Sequence, residues 1–121
     1  MIRIMIADDY TIIRDRIKQI IGEESDLEIA CEAVDGKEVI ELSKNQEIDI
    51  ILLDFYFPDM NALQIIPKIR KINKDIPIVI LSSLSDEIFR RKTLEAGASG
   101  FVSKDEATEI LVNTIRQLVI R

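Results

Sequence analysis

The stretch Ile48-Asp49-Ile50-Ile51-Leu52-Leu53-Asp54, followed by Phe55-Tyr56-Phe57-Pro58-Asp59, decides how this chain is read. It is an almost continuous apolar run that ends on a carboxylate and then enters a turn. Such a run predicts a central strand covered on both faces. A carboxylate at the tip of a buried strand is costly unless something uses it. Asp54 is therefore the first candidate for chemistry.

Working outward from residues 48–54, the same pattern recurs. Residues 2–7 are apolar and end on Asp8 and Asp9. Residues 76–82 end on Ser82, with Pro77 tolerable at the start of a strand. Residues 100–103 form a short strand, and Lys104 follows at once. Residues 27–33 are more polar and predict a strand at a sheet edge.

Helical patterns fill the gaps. Ile12, Ile13, Ile17, Ile20 and Ile21 give one apolar face, with Gly22 near its end. Val39, Ile40 and Leu42 supply the apolar side of a helix over 37–44. The next helix spans 61–72 and contains Pro67, whose missing N–H predicts a bend. A fourth runs over 86–96 and stops at Gly97. The last covers 106–119, with Ile110, Leu111, Ile115, Leu118 and Val119 facing inward. Strict alternation of strand and helix predicts an α/β domain: a parallel sheet, right-handed crossovers and helices on both faces. Ligands of such sheets bind beyond the carboxyl ends of the strands. Asp8, Asp9, Asp54 and Ser82 all fall at such ends.

Composition bounds the function. A chain of 121 residues, 47% hydrophobic and 31% charged, is read as one domain spanning 1–121. No apolar stretch of ~18 residues predicts a membrane span, and no secretory signal opens the chain. The single Cys31 cannot form an internal disulfide, which suits a reducing cytoplasm, and is read as a small apolar residue rather than a reactive thiol. The chain has no histidine, which excludes a Ser-His-Asp triad and histidine-ligated zinc. A formal net charge of -6 argues against direct binding of nucleic acid. Arg90, Arg91 and Lys92 form the one compact basic cluster and are read as an exposed helix face.

If the runs are parallel neighbours, three acids, a hydroxyl and an ammonium meet at one sheet edge. Three carboxylates there repel, each pair by about 4 kcal/mol at ~4 Å and an effective dielectric of roughly 20. A cation relieves that cost, and oxygen-only ligands favour Mg2+. The expected ligands are Asp8, Asp9, Asp54 and the backbone carbonyl of Tyr56. Asp54 then serves as a nucleophile toward phosphorus, giving an aspartyl phosphate. Mg2+, Lys104, and Ser82 with a backbone N–H would each neutralise one phosphoryl oxygen. No general base is needed, because a carboxylate is ionised at neutral pH. Each residue also has a plainer reading: Asp8 and Asp9 as helix caps, Ser82 as a strand-end serine, Lys104 as a solvated lysine, Phe101 as core. Two other chemistries fit less well. A phosphatase working through an aspartyl phosphate wants a second acid two places after its nucleophile, where this chain has Tyr56. A flavin carrier wants a Ser/Thr/Gly-rich loop after the first strand, where this chain has Asp8-Asp9-Tyr10-Thr11.

The Asp8-Asp9 pair, Asp54 with Pro58 four places on, Ser82 and Lys104, with Phe101 three places before the lysine, closely resemble the response-regulator receiver domain of two-component signalling. The stretch Ala96-Gly97-Ala98-Ser99-Gly100-Phe101-Val102-Ser103-Lys104-Asp105 looks most like the NarL/LuxR type. The resemblance covers essentially the whole chain. It implies a flavodoxin-like fold, a five-stranded parallel sheet in the order 2-1-3-4-5 with five helices on both faces. It implies phosphorylation of Asp54 by a sensor histidine kinase or a small phosphodonor, with Asp54, Lys104 and Ser82 as the reacting set. Ser82 and Phe101 would form the switch, homodimerisation on phosphorylation a further partnership, and the chain a phosphoacceptor rather than an enzyme. The NarL/LuxR flavour implies transcriptional control through a DNA-binding domain beyond this chain. A stand-alone receiver acting through protein contacts is the alternative. By the same resemblance, Tyr56 and Leu84 flank the path of hydrolytic water and imply a long-lived phosphate. Ala62 departs from the family's usual glycine, and Asp105 from its frequent proline.

Overall fold

The computed structural model describes residues 1–83 and 87–119. The elements run β1 (Ile2–Ala7), α1 (Thr11–Gly22), β2 (Leu27–Ala33), α2 (Gly36–Leu42), β3 (Ile50–Asp54), α3 (Ala62–Ile72), β4 (Ile78–Ser82), α4 (Glu87–Ala96), β5 (Gly100–Ser103) and α5 (Ala107–Leu118), with a 3-10 turn at Lys104–Glu106. All strand pairs are parallel, in the order β2-β1-β3-β4-β5. The sheet is therefore the one the alternation and the resemblance led us to expect.

Period-two alternation sorts each strand between two cores. Met5, Ile51, Leu53, Ile78 and Ile80 face α2 and α3, where Val39, Ile65, Ile66 and Ile69 meet them. Ile4, Ile6, Ile50, Leu52 and Leu81 face α1 and α5, where Ile17, Ile21, Leu111 and Ile115 meet them. With both faces covered, the sheet exposes function only at its ends.

Several boundaries differ from expectation. β3 starts at Ile50 rather than 48, because the Asp49 carboxylate takes the backbone N–H of Arg3 at 2.8 Å and replaces a ladder bond. β4 starts at Ile78, after Pro77. α2 closes at Leu42, and the Ser43 hydroxyl donates back to the Ile40 carbonyl at 2.7 Å. Ile12 does not join the buried face of α1: it is 82% exposed, and Ile17 and Ile21 carry the packing. α3 runs unbroken through Pro67 and begins with a capping box, in which Asn61 accepts from the Gln64 N–H and Gln64 accepts from the Asn61 N–H. The expected start of α4 at Asp86 lies outside the described residues. In β2, Ala30 has no partner in β1: Ile4 pairs with Ile29 and Met5 with Cys31, which makes a bulge on an edge strand.

Gly97 ends α4 with a φ of +120°, which a side chain would strain. Its carbonyl accepts from Arg70 Nε at 3.0 Å and Nη2 at 2.7 Å, while Arg70 Nη1 reaches the Ile76 carbonyl at 2.7 Å. One guanidinium on α3 thus ties the approaches to β4 and β5. Arg70→Ala leaves these partly buried carbonyls without that donor and is expected to cost about 2–3 kcal/mol. A urea midpoint unchanged from wild type would contradict this.

Candidate functional site

Asp8 follows β1 and Asp54 ends β3, and these neighbouring strands are in register up to Ala7 opposite Leu53. The two carboxylates therefore leave the sheet side by side, both buried. Asp9 completes a trio in which one oxygen from each carboxylate lies within 4.8 Å of the other two. Lys104, placed by the end of β5, sends its Nζ to 2.9 Å from Asp8 Oδ2 and 3.0 Å from Asp54 Oδ1. A cavity of about 350 Å³ opens over the group, lined by Asp9, Tyr10, Asp54, Tyr56, Phe57, Pro58, Ser83 and Lys104.

Local hydrogen bonds hold the acids in place. The Phe55 N–H donates to Asp54 Oδ1 at 2.8 Å, and the Tyr10 N–H to Asp8 Oδ1 at 2.9 Å. Asp8 thus shapes the turn before α1, whose N-cap, Tyr10, has no side-chain cap bond. Arg14 Nη1 donates to the Asp8 carbonyl at 2.7 Å, and its Nε lies 3.3 Å from Glu32 on β2. The loop after Asp54 is closed by the Ala62 N–H donating to the Phe55 carbonyl at 2.8 Å. The Asp59 carboxylate spans to α2 and accepts from the Gly36 and Lys37 N–H groups at 2.8 and 3.0 Å. These two bonds, Gly36 first, hold the Asp59 carboxyl below its ordinary pKa. A Cβ at Gly36 would collide with the Met60 side chain, so this loop and α2 pack backbone to side chain. Ala62 opens α3 without a positive φ, so the loop needs no glycine there.

Charge is unevenly satisfied. Burial, then the charge of Asp8, pushes the Asp54 carboxyl up to about 6, against the pull of Lys104. Burial opposes the Lys104 ammonium, yet the Asp8 and Asp54 carboxylates outweigh it and hold its pKa above the usual value. Asp9 Oδ1 is buried with no hydrogen-bond donor, and Asp8 Oδ2 has the Lys104 ion pair as its contact. Buried carboxylate oxygens left this way suit a hard cation with oxygen ligands, and the trio can hold Mg2+.

Asp8, Asp9, Asp54 and Lys104 thus form one cluster, and all but the buried Asp8 line the cavity. Ser82 is buried at the end of β4, opposite Ser103, and its neighbour Ser83 reaches the cavity wall. Tyr56 also lines the cavity, 55% exposed. Phe101 sits half-buried on β5 and borders a second cavity of about 120 Å³ with Glu87, Arg90, Ser103, Glu106 and Ile110. Leu84 lies outside the described residues. The sequence reading passed over Arg14, Arg70 and Asp59. A basic residue within a turn of the acidic pair was the one available sign for Arg14; the other two act on carbonyls or amides that only the fold brings near.

Residues 4–116 match the response regulator receiver domain. The transcriptional regulatory protein YdfI of Bacillus subtilis is 34% identical over 95% of this chain and 54% of its own length. A protein-glutamate methylesterase/protein-glutamine glutaminase of Treponema pallidum is 36% identical over 89% of this chain and 27% of its own length. A solved LuxR-family two-component response regulator of Aurantimonas is 29% identical, with a TM-score of 0.91, over 97% of this chain and 84% of that one. The chain spans about half the length of the curated transcriptional regulator it matches. No helix among the described residues is long and apolar enough to cross a membrane.

Proposed function

Because the chain belongs to the response regulator receiver domain family, we propose that Asp54 accepts a phosphoryl group and that the domain switches its surface in response. The observation that carries this reading is the Lys104 ammonium held between Asp8 and Asp54, 2.9 and 3.0 Å away, at the open end of the sheet. Asp54 Oδ bonds to phosphorus, and the leaving group departs with the electron pair of its own bond to phosphorus. The donor is a phosphohistidine on a sensor kinase, or a small phosphodonor such as acetyl phosphate. Asp8, Asp9, Asp54 and the Tyr56 carbonyl would hold Mg2+, which would supply positive charge for the transferring oxygens. Lys104 meets a second oxygen, and the Ser82 hydroxyl with a backbone N–H the third. The raised pKa of Asp54 is the cost of holding a nucleophile ionised in a buried site, and a cation offsets it.

The added group brings about -1.5 to -2 charges to one point. Ser82 turns toward it, Phe101 rotates into the space released, and the face of α4, β5 and α5 changes by a shift in population. Transcription is the proposed output, through a DNA-binding domain, since the relative YdfI is a transcriptional regulatory protein. A formal net charge of -6 is the reason to assign DNA contact to that domain and not to this one. The cytoplasm is the proposed compartment, in keeping with the lone free Cys31.

Incubation with acetyl phosphate and Mg2+, followed by intact mass, is expected to add one phosphoryl group per chain. No mass increase would defeat the reading. Phe101→Ala is expected to keep that uptake and lose phosphorylation-dependent dimerisation; dimerisation at wild-type strength by light scattering would remove Phe101 from the switch.

A further inference from the structure

Phe55 follows the acceptor and is 3% exposed. Its ring is gripped on two sides in edge-to-face contacts. Tyr56 lies 4.7 Å away at 68° and Phe89 4.9 Å away at 69°, centroid to centroid. Tyr56 in turn lines the cavity over Asp54. Phe89 belongs to α4, which packs beside α3 and β5. Its one fully buried residue is Thr93, whose hydroxyl donates to the Phe89 and Arg90 carbonyls of the same helix. Ile88 and Leu94 are exposed, and Phe89 and Ala96 are the α4 side chains packed on the α2–α3 core. The main apolar tie of α4 therefore ends on the residue beside the acceptor.

We propose that Phe89 is a positioning residue that sets, through Phe55, where Tyr56 stands over Asp54, and so how fast water removes the phosphoryl group. The proposal rests on the phosphoacceptor reading. In that hydrolysis a water oxygen bonds to phosphorus and the Asp54 Oδ–P bond breaks. Its electron pair returns to the carboxylate, and the water's proton leaves with inorganic phosphate. Tyr56 slows the step by occupying the approach. Without Phe89, Phe55 has space on one side and Tyr56 loses its backing. By the same chain of contacts, a partner that shifts α4 would change the lifetime of the phosphate.

The chain has two tyrosines and no tryptophan, so in a Tyr10→Phe background tyrosine fluorescence reports Tyr56 alone. In that background, without phosphodonor, Phe89→Ala is expected to lower the emission anisotropy. After loading with acetyl phosphate and Mg2+ and removal of donor, Phe89→Ala is expected to release phosphate about two- to tenfold faster than wild type, the span that one lost aromatic pair corresponds to. Tyr56→Ala is expected to speed release as well, and the double variant to be no faster than Tyr56→Ala. Phe89→Leu keeps an apolar anchor for α4 and is expected to fall between wild type and Phe89→Ala. Unchanged anisotropy, or rate effects of Phe89→Ala and Tyr56→Ala that multiply, would overturn the proposal. Failure of wild type to load would defeat the acceptor reading and the rate effect with it, while the anisotropy would still decide whether Phe89 backs Tyr56.

Discussion

Asp54→Asn takes up no phosphoryl group from acetyl phosphate and Mg2+, yet folds more stably than wild type in the absence of metal at neutral pH. The loss follows from the amide, which is no nucleophile toward phosphorus. The gain follows from linkage. The Asp54 carboxyl titrates near 6 in the folded chain and at 3.8 ordinarily. A carboxyl raised on folding binds its proton more tightly in the native state. The native state is therefore favoured below about pH 3.8, and that advantage is lost as pH rises through about 6. Above that point the ionised group costs about 2–3 kcal/mol, which the neutral amide avoids. The gap between variant and wild type should accordingly be wide at about pH 7.5, close at about pH 4, and narrowed by saturating Mg2+, which gives the carboxylate a counter-ion. Urea unfolding at the two pH values, with and without Mg2+, measures it. A variant that is less stable than wild type at neutral pH without metal would show that Asp54 is not held at an electrostatic cost.

Lys104→Ala should damage both the fold and the reaction. The ammonium is the contact shared by Asp8 and Asp54, whose side chains are 1% and 9% exposed. Its removal leaves two buried carboxylates facing each other. Breaking a buried ion pair from one side costs about 3–5 kcal/mol. The loss should be greatest where both acids are ionised, shrink below about pH 6 as Asp54 takes a proton, and be partly recovered by Mg2+. Phosphoryl uptake, measured with Mg2+ present so that the fold is kept, should slow about 100- to 1000-fold, the range seen when one preorganised charge-stabilising donor is removed. Uptake at the wild-type rate would exclude Lys104 from the reaction.

How much of this was legible in the sequence varies with the physics involved. The sheet was legible because β3 and β4 are buried on both faces, and continuous apolar runs say so directly. The site was legible because chain order places every candidate at the carboxyl end of a strand, where a parallel sheet brings strand ends together. Ile12 misled because it is an isoleucine beside Ile13, yet five and nine residues before Ile17 and Ile21, which at about 100° per residue puts it on the opposite side of α1 from them. The start of β3 misled because a side chain, Asp49, stands in for backbone in the ladder. That Lys104 meets the acids was legible from its place after β5, but its direct ion pairs with Asp8 and Asp54 were not, since charge partners across strands leave no mark on periodicity. Nor was the Phe55–Phe89 contact, which joins residues far apart in sequence and far apart in apparent role.

The unmatched Ala30 bears on how the chain behaves in a crowd. β2 ends the sheet, and a flat terminal strand offers a row of unclaimed amides to any passing chain. An added residue there breaks the even spacing of that row and turns the strand out of plane, so a second sheet edge cannot zip along it for more than a few residues. Protection against self-stacking is thus written into the backbone itself, leaving nearby side chains free to vary.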